Sequence, residues 1–270
     1  VVLILNYKVK EMNPIELLNK HCNFENKHDC YVLLAVSRKK DTPSITNSKE
    51  IIFRDVIKKK EDIVRKYNSI KASITNYKDE TGKSFPFYLY VSLNARDAKK
   101  ATVLLMNKII DWFDQETNGV DCSRMFKKIH GHFYSQLMKP ASRTKGQRYF
   151  MIDFDEDDEI KMNMFVNTLE TNQPYIEVKL IQKTKNGYHI KTKPFDRRIF
   201  DEIKNKSELD CEIKTDANFF VEYFPNINKP KGQCIKEIIV DEMGGFSSED
   251  EIKLMDEIKD GFVKRIKNEN

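Results

Sequence analysis

The sequence predicts an α+β fold, with a mostly antiparallel sheet and helices on one of its faces. Three observations lead there. Short runs rich in Val, Ile, Phe and Tyr alternate with segments of helical period along the second half of the chain. Asn186-Gly187 sits between two apolar runs, the strongest short-range hairpin signal in the sequence. With 270 residues at 40% hydrophobic content, the chain can bury a sizeable core without staples.

The N-terminal elements come first: a short helix from Pro14 to Lys20, an apolar strand from Tyr31 to Val36, a polar turn through Asp41-Thr42-Pro43-Ser44, an apolar segment from Ile51 to Ile57, and a basic helix from about Lys59 to Ser73. Phe85 to Leu93 is dense in strand formers, and its aromatic residues read as core ahead of base-stacking platforms. After Asn94, a fitting N-cap, Ala98, Ala101, Leu104, Leu105, Ile109 and Trp112 take helical spacing. A basic stretch then runs from Arg124 through Lys127, Lys128, Lys139, Arg143 and Lys145 to Arg148, broken by His130, His132, Phe133 and Tyr134. It suits either a phosphate-facing surface or an ordinary solvated helix and loop.

The second half has a regular rhythm. Strand Arg148 to Asp155 leads into a helix from about Asp157 to Glu170, then strand Ile176 to Gln182, the turn at Lys185-Asn186-Gly187 and strand Tyr188 to Thr192. Helix Phe195 to Lys204 follows, with strand Cys211 to Asp216 continuing into Phe219 to Phe224. After a loop, strand Ile235 to Val240 precedes Gly244-Gly245 and a last helix capped by Ser247 or Ser248, with Glu251 as the capping-box partner.

Composition excludes several classes. The 47 Lys and Arg residues nearly balance 42 Asp and Glu, so neither a disordered polyelectrolyte nor a binder living on net charge fits. No apolar run approaches the ~20 residues that cross a bilayer. The opening Val1 to Leu5 lacks the features of a signal peptide, so the expected location is intracellular and cytoplasmic, with no membrane partner. Met12-Asn13-Pro14 resembles a start followed by a helix opening, which leaves the native status of residues 1–11 open. Five scattered cysteines, Cys22, Cys30, Cys122, Cys211 and Cys234, read as reduced thiols, and His21, Cys22, His28 and Cys30 match no common zinc spacing.

The chemistry concentrates in three places. Asp153 and Asp155, two residues apart on an apolar strand, project from one side of the pleat. Like charges so placed raise each other's pKa unless a cation neutralises them, and Mg2+ or Mn2+ is the usual answer. The alternative is simple solvation at a strand end. The following Glu156 to Glu159 reads as a helix start. Thr184-Lys185-Asn186-Gly187-Tyr188-His189 is a basic turn leading a histidine into a strand, with Lys179, Lys191 and Lys193 nearby; the glycine permits close backbone approach to a ligand, and His189 and the lysines can donate to phosphate oxygens. A lone strand histidine is otherwise a structural group. Asp216, at a strand end, means little alone.

Taken together, paired aspartates, a Gly-x-His hairpin 36 residues after Asp153 and an aspartate 27 residues later resemble the archaeo-eukaryotic primase superfamily, including primase-polymerases. The match covers about Arg148 to Phe224, clearest at Ile152-Asp153-Phe154-Asp155 and Gly187-Tyr188-His189-Ile190, with Tyr188 to Phe195 similar to a histidine strand running on into a proline. Thr184 stands where a serine is common, and Asp210 competes with Asp216 for the third motif. The resemblance implies an RRM-like catalytic sheet, with residues 1–84 an α/β accessory region and 85–270 the catalytic region. It implies a nucleotidyltransferase, a primase or DNA polymerase of replication. Asp153, Asp155 and Asp216 would hold two Mg2+ or Mn2+ ions, and His189 would grip the triphosphate with Lys185, Lys191, Arg148 and Thr184 beside it. Partners would be a single-stranded nucleic-acid template, nucleoside triphosphates and a helicase or replication protein. Lys-, Asn- and Ile-rich usage would suit an AT-rich virus or mobile element. Arg38, Arg54 and Arg96 carry nothing that separates them from surface arginines. A non-catalytic nucleic-acid- or partner-binding module on the same sheet, and a two-metal nuclease, remain the competing readings.

Overall fold

In the computed structural model the described residues are 12–38, 50–79, 82–146, 148–173, 175–207 and 209–225. The expected strand at Ile235 to Val240, the final helix, the turn at Asp41 to Ser44 and residues 1–11 lie outside them. The described residues belong to one unit, Val1–Asn228, built on two antiparallel sheets.

Helix α1 (Pro14–His21) opens with proline in its first turn, and the Asn13 side chain accepts the Glu16 N–H at 2.9 Å. Strands β1 (Asp29–Ser37) and β2 (Ile51–Ile57) pair antiparallel, and α2 (Ile63–Asn76) follows. Strand β3 (Phe87–Ser92) pairs with β1, and the two-residue β4 (Arg96–Asp97) pairs with the start of β1. Helix α3 (Ala98–Thr117) is capped by Asp97, whose carboxylate accepts the Lys100 N–H at 3.1 Å. The expected cap, Asn94, works elsewhere: its Oδ1 accepts the Tyr149 N–H at 2.7 Å and its Nδ2 donates to Tyr149 O and Thr215 O. It ties the entry of the next strand to the end of β3. Short helices α4 (Ser123–Phe126) and α5 (Ile129–Leu137) complete this half.

The rest of the chain runs β5 (Phe150–Phe154), α6 (Glu159–Asn172), β6 (Val178–Lys183), β7 (Tyr188–Thr192), α7 (Arg197–Ser207), β8 (Cys211–Lys214), and then β9 (Asn218–Phe224). The order β6-β7-β5-β8 makes a four-stranded sheet of β-α-β-β-α-β connectivity, with β5 and β7 central. The other sheet has the order β2-β1-β3-β9, with β4 beside β1. β8 and β9, expected as one continuing run, therefore belong to different sheets, and the chain crosses between them at Thr215–Ala217. The boundary expected at residue 84 falls inside the second of these sheets, where β1 hydrogen-bonds β3 and β3 hydrogen-bonds β9.

Alternation decides what each face carries. In the β6-β7-β5-β8 sheet, Phe150, Ile152, Phe154, Tyr188, Ile190 and Ile213 pack under Met162, Phe165 and Leu169 of α6 and Phe200 and Ile203 of α7. The opposite face is covered only in part: Met151 and Leu180 pack with Leu17 and Leu18 of α1. The β2-β1-β3-β9 sheet is covered on both: Leu33, Phe87, Leu89 and Phe219 pack against α1 and α2, while Cys30, Val32 and Val56 pack against Ala101 of α3 and Leu137 of α5. That double cover explains why β1 is buried along nearly its whole length. All the residues of β3 are buried, including Tyr88 and Tyr90, which cluster with Phe220. The four described cysteines are buried and free. Among the described residues no helix is long and apolar enough to cross a membrane.

Candidate functional site

The face of β5 and β7 turned away from α6 and α7 carries the polar residues. Register places Asp153 directly across from His189 and Met151 across from Lys191. β8 lies on the other side, with Glu212 across from Asp153 and Lys214 across from Met151. The hairpin β6-β7 closes through the loop 184–187, where the Thr184 N–H donates to Gly187 O at 2.8 Å. This is a four-residue loop, and Gly187 is not among the glycines with positive φ, so the two-residue Asn-Gly turn is not the one formed. Glycine is required for another reason: a Cβ at 187 would lie 1.9 Å from Phe154 O and 3.0 Å from Glu156 N. The close approach is to the backbone of the aspartate strand itself.

Asp153 is held by two donors, Lys214 Nζ at 2.5 Å and His189 Nε2 at 3.3 Å. The Phe220 N–H donates to His189 Nδ1 at 3.0 Å, which leaves the ring hydrogen on Nε2, facing Asp153. Burial works to raise the Asp153 pKa, but the hydrogen bonds from His189 and Lys214, with the Lys214 charge, prevail and bring it to about 2. Asp155 is exposed, and its N–H donates to Asp210 O at 2.9 Å. Partial burial and the charges of Asp153 and Asp210 hold its pKa above the ordinary value, against the pull of Lys214. A negative site with one occupied and one under-neutralised carboxylate results.

This face opens on a cleft of about 300 Å3 lined by Asp153, His189 and Lys214 on one side and by Leu34, Arg38 and Tyr90 on the other. The Arg38 guanidinium donates to the Tyr90 hydroxyl and lies 5.3 and 5.2 Å from the ring centres of Tyr88 and Tyr90. Lys214, Arg38 and Tyr90 were missed in the sequence. For Lys214 a signal existed, since Cys211-Glu212-Ile213-Lys214 alternates polar with apolar; for Arg38 and Tyr90 there was none.

The remaining expected site residues are not gathered here. Asp216 lies past the end of β8, four residues beyond the position facing Asp153, or about 13 Å of extended chain. Its carboxylate is taken by Arg96, 2.5 Å from Nη2 and 3.4 Å from Nη1, with Arg143 Nε at 3.7 Å. Arg96 is 1% exposed, so this is a structural ion pair. Asp210, the alternative third carboxylate, is the one beside Asp155. Lys191 is 3% exposed; its Nζ donates to His21 O at 2.9 Å and sits 4.1 Å from the Tyr149 ring centre. Lys185 reaches the other sheet, with Nζ 3.3 Å from the Tyr88 hydroxyl. Arg148 shares the parity of Phe150, over whose ring its guanidinium lies at 5.6 Å, and so points to the helix-covered side.

Asp153 and Asp155 supply hard oxygen donors of the kind Mg2+ or Mn2+ takes, and Asp216, paired with Arg96, does not join them. Among the described residues no group of three His, Cys, Asp or Glu side chains could hold a metal ion. Comparison of the chain with family models, with curated proteins and with solved structures found no match.

Proposed function

We propose that the chain is a metal-dependent nucleotidyltransferase of the primase-polymerase type, adding nucleotides to a nucleic-acid 3′-hydroxyl on a single-stranded template. The observation that carries this reading is Asp153 facing His189 across two central strands, with Asp155 following just past the end of β5 and feeling the Asp153 charge. The β-α-β-β-α-β order supports an RRM-like catalytic sheet, and the cleft beside it supports a site open to an extended ligand.

Asp153 and Asp155 would hold the divalent cation, with Asp210 a further carboxylate beside Asp155. When bound, Mg2+ or Mn2+ supplies charge neutralisation for the triphosphate and a lowered pKa for the attacking hydroxyl. His189 directs its Nε2 hydrogen toward this position, and the Phe220 N–H at Nδ1 fixes both tautomer and ring. It can donate to a phosphate oxygen once Asp153 gives up this bond to the cation. Lys214 neutralises Asp153 and must yield it to the cation, which leaves its ammonium beside the phosphates. Arg38, stacked on Tyr88 and Tyr90, closes the other wall. A helicase or replication protein is the partner this activity would serve.

A second reading has a specific observation behind it. Lys214 already occupies Asp153, and Arg96 occupies Asp216, as in a sheet that binds single-stranded nucleic acid or a partner without catalysis. Incorporation of labelled nucleotides on a single-stranded template, with and without primer and in Mg2+ or Mn2+, separates the two. Metal-dependent synthesis supports transfer, and the primer-free reaction tells primase from polymerase. Template binding without synthesis overturns the catalytic proposal.

A further inference from the structure

A second, larger cavity of about 540 Å3 lies apart from the Asp153 cleft, and the two share no lining residue. Its charged wall consists of Lys20, Lys59, Lys60, Lys179 and Lys191 against the single carboxylate of Glu61. Lys20 and Lys179 are paired with Glu16 and Glu177, whereas Lys59 and Lys60 have no ion pair among the described residues.

Lys191 is the telling member. It is 97% buried, yet no carboxylate accompanies it among the described residues; its contacts are one backbone carbonyl, His21 O, and the face of Tyr149. An ammonium has three donors, so two remain for a ligand. Keeping a charge out of water without a counter-ion is costly, and such groups mark sites where an anion completes the pairing. From this geometry we propose that the cavity is a phosphate-binding site, separate from the transfer site, in which Lys191 and the lysines of the rim receive a phosphate anion. The anion is carried either by a nucleic-acid strand or by a small phosphate compound. Burial, together with the charge of Lys179, lowers the Lys191 pKa to about 8, as expected of a cation lacking its counter-ion. The proposal does not depend on nucleotidyl transfer.

The test is calorimetric titration of the full chain in EDTA, first with inorganic pyrophosphate and then with single-stranded oligothymidylate. The exposed Lys59→Ala/Lys60→Ala/Lys179→Ala variant, and separately Lys191→Met, should weaken pyrophosphate at least about tenfold. Lys161→Ala, on the exposed surface of α6 and outside both cavities, should leave it unchanged. If the strand is the source of the phosphate, pyrophosphate competes with oligothymidylate, and the triple variant lowers the slope of log affinity against log salt by about 2. If a small compound is the source, pyrophosphate binds and the oligonucleotide does not compete. Equal pyrophosphate affinity in wild type and triple variant, or no binding of either probe, overturns the proposal. The exposed triple variant keeps the outcome readable if Lys191→Met does not fold.

Discussion

Replacing Asp216 by alanine strands the Arg96 guanidinium, which is 1% exposed, without its counter-ion. Its Nε already has no hydrogen-bond partner, and what would remain are long contacts from Nη1 to Lys139 O at 3.3 Å and Met138 O at 3.5 Å. Removing one member of a buried ion pair costs about 3–5 kcal/mol, because the other charge stays desolvated. Asp216 is 17% exposed, so water can reach the gap, and the lower end applies, about 3 kcal/mol. For a unit of this size that is a fall in Tm of about 6–12 °C. Urea unfolding followed by circular dichroism should show it. In a cycle with Arg96→Met, the double variant should lose less than the sum of the single ones, since the orphaned charge is then gone. A loss under about 1 kcal/mol, or an additive cycle, would mean that the pair behaves as a surface contact and that Asp216 is free for other work.

Three further outcomes follow from the geometry. Gly187→Ala forces a Cβ to within 1.9 Å of Phe154 O, so the β6-β7 hairpin must shift off the aspartate strand; thermal melts should fall by at least about 2 kcal/mol, and an unchanged melt would contradict the packing. Lys191 has a folded pKa of about 8, below its ordinary value, so the unfolded chain binds more protons between about pH 8 and 10.4. Stability should therefore rise across that window, by up to about 3 kcal/mol, and be lost again as pH falls back through 8; Lys191→Met should flatten the profile, and a persisting slope would assign it elsewhere. His189→Ala should weaken binding of a fluorescent nucleoside triphosphate in Mn2+, read by anisotropy, while leaving oligonucleotide affinity intact; unchanged nucleotide affinity would remove His189 from its role.

Local pattern and long-range contact separate what the sequence discloses from what it hides. β7 is readable residue by residue because Tyr188 to Thr192 is bounded by a turn and a proline, and the pleat alone turns Asp153 away from the face of Ile152 and Phe154. The α+β class follows from the same patterns. The division into two sheets is not local: Cys211 to Phe224 looks like one strand run, and only the crossing at Thr215–Ala217 sends its halves to different sheets. Asp216 loses its expected place for that reason, since Arg96, which takes it, is 120 residues away and resembles any surface arginine in sequence. Lys191 likewise looks like a phosphate contact beside His189, but the His21 carbonyl and the Tyr149 ring enclose it. Asn94 reads as a helix cap because its partners, Tyr149 and Thr215, are 55 and 121 residues distant.

The most direct measurement compares Asp153→Ala, Asp155→Ala and Asp216→Asn in template-directed nucleotide incorporation, each corrected for the folded fraction at the assay temperature. The account predicts that the first two lose about a thousandfold, the rate equivalent of about 4 kcal/mol of metal-dependent stabilisation, while folded Asp216→Asn stays within about tenfold of wild type. Wild-type activity in either Asp153→Ala or Asp155→Ala, or a thousandfold loss in folded Asp216→Asn, would contradict the site built on β5 and β7.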